Sequence, residues 1–151
     1  MYNSIMFKKI GVIYKESLSF DKDISPHIET ILSHSKELYF HESAEDAPND
    51  FPKLSKDELG DQSDLIIVFG GDGTMLSTAR NFIGYDIPIM GVNFGQVGFL
   101  TDSSENNFKQ SIDDVFNDNF KLEERSFVKA QFDDKEIFGL NEIVLHSGSY
   151  A

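Results

Sequence analysis

Short apolar runs alternate along the chain with segments in which apolar residues recur every three or four positions. The clearest run covers residues 65–69 and lies between Asp64 and two consecutive glycines. Continuous apolar runs of this length are typical of the central strands of parallel sheets, which are covered on both faces. Comparable runs at residues 10–14, 38–40 and 87–92 predict three further strands.

Segments with helical spacing lie between these runs. Ser25 and Pro26 predict the start of one helix, with Ser25 as the N-cap and Pro26 at the first helical position. The alternation of strands and helices predicts an α/β fold with a parallel sheet. The apolar positions with helical spacing are Ile24, Ile28, Ile31 and Leu32, then Met75, Leu76, Ala79, Phe82 and Ile83, then Phe108, Ile112, Val115, Phe116 and Phe120.

Two parts of the chain depart from this alternation. Residues 41–63 are polar and contain two prolines, which predicts a loop or lid with one helical turn near residues 54–59. Residues 127–132 and 137–145 flank a turn at residues 133–135, and this pattern predicts an antiparallel pair of strands.

The change of pattern after Leu122 predicts two domains. We expect an α/β domain over residues 1–122 and the first strands of a β-rich domain, left incomplete, over residues 123–151. The chain has 151 residues, of which 40% are hydrophobic and 14 are Phe, so the first domain has enough apolar material for a core.

The composition limits the partners that the protein can have. With 26 acidic and 13 basic side chains, the formal net charge is −13. Such a chain repels nucleic acids and anionic membrane surfaces, and we expect neither as a partner. Any phosphate ligand has to be bound by backbone N–H groups and a divalent cation rather than by a basic surface.

Several classes of protein and site are excluded by residues that the chain lacks. It contains no Cys, which excludes disulfides, Cys-based zinc sites and thiol catalysis. There is no signal peptide at the N-terminus and no apolar stretch near the ~20 residues of a membrane span, so we expect a soluble, cytoplasmic protein. No metal-ligand spacing occurs among the four histidines, His27, His34, His41 and His146, and we interpret them as surface or locally hydrogen-bonded residues.

A glycine-rich turn, residues 70–74, follows the clearest strand and precedes a helix. Ligands of open α/β sheets bind at the carboxyl ends of strands, and a helix N-terminus offers free N–H groups to a phosphate. Asp72 adds a carboxylate, which can accept a hydroxyl proton or bind Mg²⁺. The alternative is a tight turn in which Asp72 only caps the helix. Neither the Walker phosphate loop nor the usual dinucleotide fingerprint is present.

A second glycine-rich segment, residues 91–102, follows the next strand, and we expect the two segments to line one crevice. Asn93 has the side chain to adopt left-handed geometry or to hydrogen-bond a ligand, and Phe99 offers an apolar face to a base. The alternative for Phe99 and Leu100 is that both are core residues. Asn141 and Glu142 interrupt an apolar stretch and predict a pair on opposite faces of a strand, with a solvated sheet edge as the alternative.

These segments together resemble the NAD kinase family in order and spacing, over a region from about Ile10 to the last residue. The Gly-Gly-Asp-Gly turn is shared with diacylglycerol and sphingosine kinases and, in similar form, with phosphofructokinases. The later blocks are more specific. The family's Thr-Gly-Ser-Thr-Ala-Tyr-like segment, which lies further along its chains, does not occur here. The matching segments are residues 70–76, 91–93 with Gly95, 98–102, and 141–142.

The resemblance implies a Rossmann-like nucleotide-binding domain followed by the first strands of an all-β domain. It implies a kinase that transfers the γ-phosphoryl of ATP to the 2′-hydroxyl of the adenosine ribose of NAD, with Mg²⁺ bridging the ATP oxygens. Full-length members commonly form homo-dimers and tetramers. The alternatives are another kinase with the same glycine turn, such as a lipid or sugar kinase, and a non-catalytic nucleotide-binding fragment.

The resemblance also implies roles for individual residues. Asp72 corresponds to the catalytic carboxylate, and Gly71 and Gly73 would bind phosphates. The other implied contacts are the apolar walls near the adenine, Leu76 and Phe99, and the contacts to the adenosine and ribose of NAD, Asn141 and Glu142.

Overall fold

The computed structural model describes residues 7–96, 98–140 and 142–144. Six strands form one parallel sheet, and their order in the sheet is β3-β2-β1-β4-β5-β6. This is the order of doubly wound nucleotide-binding folds, so the predicted α/β, Rossmann-like architecture is confirmed. The strands are β1 (Lys9–Tyr14), β2 (Glu37–His41), β3 (Lys53–Leu54), β4 (Leu65–Gly70), β5 (Ile89–Asn93) and β6 (Ser103–Ser104).

Helices cover both faces of this sheet. One apolar cluster joins α1 and α4 to one face, and a second cluster joins α2 and α3 to the other face. None of the helices in the described ranges has the length and apolar content to cross a lipid bilayer. The helices are α1 (Ser25–His34), α2 (Lys56–Gln62), α3 (Asp72–Asn81) and α4 (Phe108–Phe116).

Strand β4 lies at the centre of the sheet, between β1 and β5. All six of its residues are buried, as its continuous apolar run predicts. Ile67 and Phe69 pack towards α1 and α4, whereas Ile66 and Val68 pack towards α2 and α3. Each fully buried side chain of this kind stabilises the fold by roughly 1.5–3 kcal/mol. The strand that precedes the glycine turn is therefore a rigid support.

The helical segment after β1 begins earlier than the sequence predicts. A π-helical turn, Phe20–Ile24, runs directly into α1. Ser25 has helical backbone angles, so the prediction that it is the N-cap is wrong, and Pro26 is the second residue of α1 rather than the first. The earlier start depends on a tertiary contact, because the N–H of Phe20 donates to the Asp46 carboxylate at 2.7 Å and satisfies one N-terminal donor.

The polar segment over residues 41–63 contains more structure than the predicted loop. It includes the edge strand β3, which was not predicted from the sequence, and the two-turn helix α2. A capping box starts α2: the Ser55 hydroxyl accepts the Glu58 N–H at 3.4 Å, and the Glu58 carboxylate accepts the Ser55 N–H at 2.8 Å.

A separate two-stranded sheet follows, formed by β7 (Val128–Phe132) and β8 (Lys135–Gly139). Asp133, at the turn between them, has φ 50°. Because β8 ends at Gly139, Glu142 is not part of a strand, and the prediction of a strand over residues 137–145 is wrong at its C-terminal end. Asn141 lies outside the described residues.

Candidate functional site

The two glycine-rich segments meet at one edge of the sheet. Strands β4 and β5 are parallel neighbours, and their last residues, Gly70 and Asn93, are register partners. The strand order reverses between β1 and β4, and ligands of such sheets bind outside the carboxyl ends of the strands near this reversal. The structure therefore brings the two glycine-rich segments together at the carboxyl ends of neighbouring strands, where the sequence predicts one crevice.

Asp72 is the first residue of α3, but it does not cap that helix. The residue at the N-cap position is Gly71, and no side chain makes a capping hydrogen bond there. Instead, the Asp72 carboxylate accepts the N–H of Phe99 at 2.8 Å and the N–H of Leu100 at 2.9 Å. The interpretation of Asp72 as a simple helix cap is wrong, because its carboxylate joins the two glycine-rich segments.

Space is open around the glycines on either side of Asp72. A Cβ placed on Gly71 or on Gly73 would have no neighbouring atom within 4 Å in the described part of the chain. Neither glycine has positive φ. An external group can therefore approach the backbone of this turn closely, as a phosphate needs to do.

Asn93 connects the second glycine-rich segment to the end of β5 through hydrogen bonds. Its side chain is 6% exposed, and its Nδ2 donates to the Gln96 carbonyl at 2.5 Å and to Thr101 Oγ1 at 3.3 Å. Its Oδ1 is buried and has no hydrogen-bond partner among the described residues. The left-handed conformation considered for Asn93 is found at Gly95 instead, with φ 123°.

Phe99 is not a core residue. Its side chain is 97% exposed, so the core interpretation is wrong for Phe99, whereas Leu100 is half-buried. Leu76 is half-buried in the second turn of α3. A groove of about 890 Å³ begins at Phe99 and runs along the outer side of β5. Residues lining it include Met75, Phe82, Leu100, Thr101, Arg125 and Leu140.

The structure describes one of the two residues implied for NAD recognition, Glu142. Glu142 is exposed, and no hydrogen bond or ion pair in the described ranges joins it to Asp72 or Phe99. Asn141 lies outside the described residues.

The Asp72 carboxylate is held by backbone N–H groups rather than by a cation. None of the ion pairs among the described residues includes Asp72. Those residues also contain no group of three or more His, Asp or Glu arranged to bind a metal ion. The turn therefore offers one carboxylate and a backbone with open space around it.

His27 lies beneath the crevice, and its place there was not predicted from the sequence. Its ring is stacked on that of Phe69, with 5.7 Å between the ring centroids. It is T-shaped to the rings of Phe94 and Phe108, with centroid separations of 5.8 and 4.8 Å. Its Nε2 is buried without a partner in the described part of the chain, so the interpretation as a surface or hydrogen-bonded residue is wrong for His27. Burial lowers the pKa of its imidazole, and Glu105 offsets part of that shift.

This environment predicts a loss of stability at mildly acidic pH. Because the pKa of His27 is lower in the folded than in the unfolded chain, stability is complete above the unfolded value of about 6.5 and decreases as the pH falls below it. Urea unfolding at pH 7.5 and 5.5 measures the loss, which should be smaller in His27→Phe. A residual loss is expected, because burial also lowers the pKa of His41. Equal losses in both proteins would contradict the assignment to His27.

Comparison with known proteins identifies the family. Residues 12–120 match the family model described as the ATP-NAD kinase N-terminal domain. The chain belongs to the NAD kinase family. The match covers the whole parallel sheet except the first residues of β1, together with α1 to α4.

Curated NAD kinases share a substantial part of this sequence. The NAD kinase of Marinomonas sp. is 40% identical over 99 residues, which are 62% of this chain and 34% of the relative. The NAD kinase of Natranaerobius thermophilus is 31% identical over 151 residues, which are 95% of this chain and 53% of the relative. The chain thus spans about a third to a half of the length of these relatives.

Solved structures from the family have the same fold. Yeast NADH kinase complexed with NADH matches with a TM-score of 0.69 at 16% identity, over 91% of this chain and 47% of the yeast chain. An NAD kinase from Archaeoglobus fulgidus in complex with ATP matches with a TM-score of 0.51 at 25% identity, over 80% of this chain and 40% of that chain.

Proposed function

We propose that the protein containing this chain transfers the γ-phosphoryl of ATP to the 2′-hydroxyl of the adenosine ribose of NAD, giving NADP. The observation that carries the proposal is the Asp72 carboxylate, which lies at the start of α3 between two glycines with open space around them. Membership of the NAD kinase family supports the choice of substrates.

We also expect a cytoplasmic homo-oligomer, and sedimentation of the full encoded protein tests the oligomeric state.

Asp72 would act on the acceptor hydroxyl. Two of the roughly four lone-pair positions of a carboxylate are used by the N–H groups of Phe99 and Leu100, so others remain for a hydroxyl donor. An aspartate in this role orients the attacking oxygen and accepts its proton. Phosphoryl transfer requires mainly positioning and charge stabilisation. The Asp72 carboxylate, held at the start of α3, would supply the positioning, and N–H groups and Mg²⁺ would stabilise the charge.

The backbone near Gly71 and Gly73 would bind phosphate oxygens. The open space at both glycines allows a phosphate to approach the first turn of α3, where N–H groups and the helix dipole favour an anion. With one carboxylate and no metal-binding cluster among the described residues, this turn fits Mg²⁺ that is bound mainly by ATP oxygens. Mg²⁺ would neutralise charge on the transferred group.

The nucleoside would lie beside the second glycine-rich segment. The exposed Phe99 ring offers a face for stacking on a base, and Leu76 would complete an apolar wall. Asn141 and Glu142 would contact the adenosine and its ribose hydroxyls. Both would act from the chain that follows β8, and Leu140, directly after β8, lines the same groove as Phe99.

A substrate panel tests the reaction. The full encoded protein is mixed with ATP and Mg²⁺ and with one acceptor at a time: NAD, NADH, a diacylglycerol or fructose 6-phosphate. We expect phosphorylation of the NAD-type acceptors, with NADP detected by a coupled dehydrogenase, and none of the lipid or sugar. The reverse pattern would favour another kinase with the same glycine turn. Binding of ATP and NAD without turnover would favour a non-catalytic nucleotide-binding protein.

Gly73→Val should weaken ATP binding much more than it affects stability. Gly73 has no positive φ and lies in α3, where Val is tolerated, so we expect a stability change within about 1 kcal/mol. The branched side chain would occupy the space through which phosphate approaches. Calorimetric titration with ATP–Mg²⁺ measures the effect, and Gly73→Ala, with a smaller side chain, should show a smaller loss. Undiminished affinity in folded Gly73→Val would mean that the turn does not contact phosphate.

A further inference from the structure

The contact between Asp72 and the second glycine-rich segment fixes the direction of the carboxylate. Each carboxylate oxygen accepts one backbone N–H: Oδ2 accepts that of Phe99 and Oδ1 that of Leu100. Two parallel hydrogen bonds from successive residues restrict rotation of the carboxylate about its axis. Their donors are separated from Asp72 by 27 and 28 positions along the chain, so the contact depends on the tertiary fold.

The donor segment is itself anchored to β5. The N–H of Gly91 donates to Asp102 Oδ2 at 3.0 Å, and the N–H of Asp102 donates to the Gly91 carbonyl at 2.9 Å. On the same strand, Asn93 holds the Gln96 carbonyl and the Thr101 hydroxyl. Both ends of the segment are thus held at a buried strand, and its N–H groups are presented in fixed positions.

Gly98 is the residue that lets the two partners meet. A Cβ on Gly98 would lie 2.7 Å from Asp72 Cγ and 3.0 Å from Oδ2, and closer still to Oδ1. The three nearest atoms all belong to the Asp72 carboxyl group, and the φ of Gly98 is not positive. The backbone conformation at position 98 is therefore one that alanine can adopt. The added methyl group would clash with the Asp72 carboxylate, which would have to move.

We propose that Gly98 is a positioning residue for the phosphoryl transfer: by lacking a side chain, it allows the N–H groups of Phe99 and Leu100 to hold the Asp72 carboxylate in one orientation. The inference rests on the proposed function, in which Asp72 orients the acceptor hydroxyl. Misplacing a catalytic group by about 1 Å reduces the rate by roughly 10²-fold. Gly98→Ala should therefore affect the rate more than substrate binding.

Kinetics of the full encoded protein test the positioning role. We expect Gly98→Ala to lower kcat for NAD phosphorylation by roughly 10²-fold, with KM for ATP and NAD within about threefold of the original values. A raised KM with unchanged kcat would overturn the proposal, because it would assign Gly98 to substrate binding. A kcat close to that of the original protein would overturn it as well.

A spectroscopic measurement tests the contact itself and needs no activity. In ¹H–¹⁵N spectra, Gly98→Ala and Asp72→Ala should shift the amide signals of Phe99 and Leu100 and speed up their hydrogen exchange. The matched control is Gly71→Ala, which adds the same methyl group where there is open space, and it should leave both signals in place. Unchanged Phe99 and Leu100 signals in Gly98→Ala would contradict the proposal.

A double-mutant cycle separates positioning from a general effect on the fold. If the added methyl group clashes only with the carboxylate, Gly98→Ala should lower the melting temperature in the original protein and have almost no effect in the Asp72→Ala background. Equal losses of melting temperature in both backgrounds would show that the backbone conformation, and not the contact with Asp72, requires glycine at position 98. That result would overturn the proposal. If the original protein fails to phosphorylate NAD, the proposed function is wrong, and the spectra and the cycle still decide whether Gly98 positions Asp72.

Discussion

Replacing Asp72 by asparagine should lower the rate of NAD phosphorylation roughly 10²–10⁴-fold, the usual contribution of a general acid–base group. The amide side chain would retain the size of the carboxylate but could not accept the hydroxyl proton. It would also place an NH₂ group against one of the N–H donors of Phe99 and Leu100. Because that donor loses its acceptor, we expect the free energy of unfolding to decrease by about 1 kcal/mol.

The measurement is initial-rate kinetics at saturating ATP and NAD, with urea unfolding of the same preparations. Asp61→Asn is the matched control, since Asp61 is exposed on α2 and the same charge is removed far from the crevice. A loss of activity below about tenfold in Asp72→Asn would show that Asp72 is not the catalytic carboxylate. A comparable loss in the control would assign the effect to net charge.

The central part of the fold could be predicted because local pattern and tertiary environment agree there. Strand β4 is buried on both faces, and its sequence is a continuous apolar run. Helix α3 buries one side against the sheet, and its apolar residues recur with helical spacing. Side-chain burial of this kind requires apolar residues at regular positions in the sequence, and the element can be predicted from that pattern.

The elements that were missed or misplaced depend on contacts that produce no periodic pattern of apolar residues in the sequence. The early start of the first helical segment depends on Asp46, which is 26 positions away from Phe20. The edge strand β3 has only two residues and exists through its pairing with β2. The chain leaves β8 at Gly139 although apolar residues continue, because the register partner of Gly139 is Val128, the first residue of β7.

The candidate site shows the same division. The glycine turn and its aspartate could be identified because a predicted strand precedes them and a predicted helix follows them. This information is local in the sequence. The meeting of the two segments could be expected from their adjacent strands. The bonds from Phe99 and Leu100 to Asp72 could not, since they depend on the path of the backbone after β5. Likewise, His27 shows no metal-ligand spacing, and its aromatic surroundings come from β4, the segment after β5, and α4.

The hairpin of β7 and β8 has an apolar face without a cover in the described part of the chain. Val128, Phe132 and Ile137 are 50%, 74% and 54% exposed and lie on one face of the hairpin. On the other face, Lys129 pairs with Glu136. The sequence predicts exposure of Val128, Phe132, Ile143 and Leu145. Ile143 is half-buried, and Leu145 lies outside the described residues.

The 151-residue chain should therefore fold over about its first 122 residues and show little or no turnover. A two-stranded hairpin is marginally stable in water, so the amides of β7 and β8 should exchange with solvent much faster than those of β4. Asn141 and Glu142 follow this hairpin and would be poorly positioned for NAD. Hydrogen exchange, with NADP formation from NAD, ATP and Mg²⁺, tests both expectations. Strong protection of the hairpin with turnover equal to that of a full-length kinase would show that this chain is a complete enzyme.

The exposed face should also cause self-association of the chain. Phe132→Lys removes the most exposed of the three apolar side chains, and sedimentation should then show a smaller weight-average mass than for the original chain. Gln131→Lys is the matched control, because Gln131 is adjacent on the same strand, is exposed and points to the polar face. If both substitutions reduce association equally, the added lysine acts whichever face it lies on, and the apolar face is not the contact. A net-charge effect alone would have the opposite sign, because a lysine lowers the charge of −13 and with it the self-repulsion of the chain. If only Phe132→Lys reduces association, this face is a surface that another strand or a second copy covers.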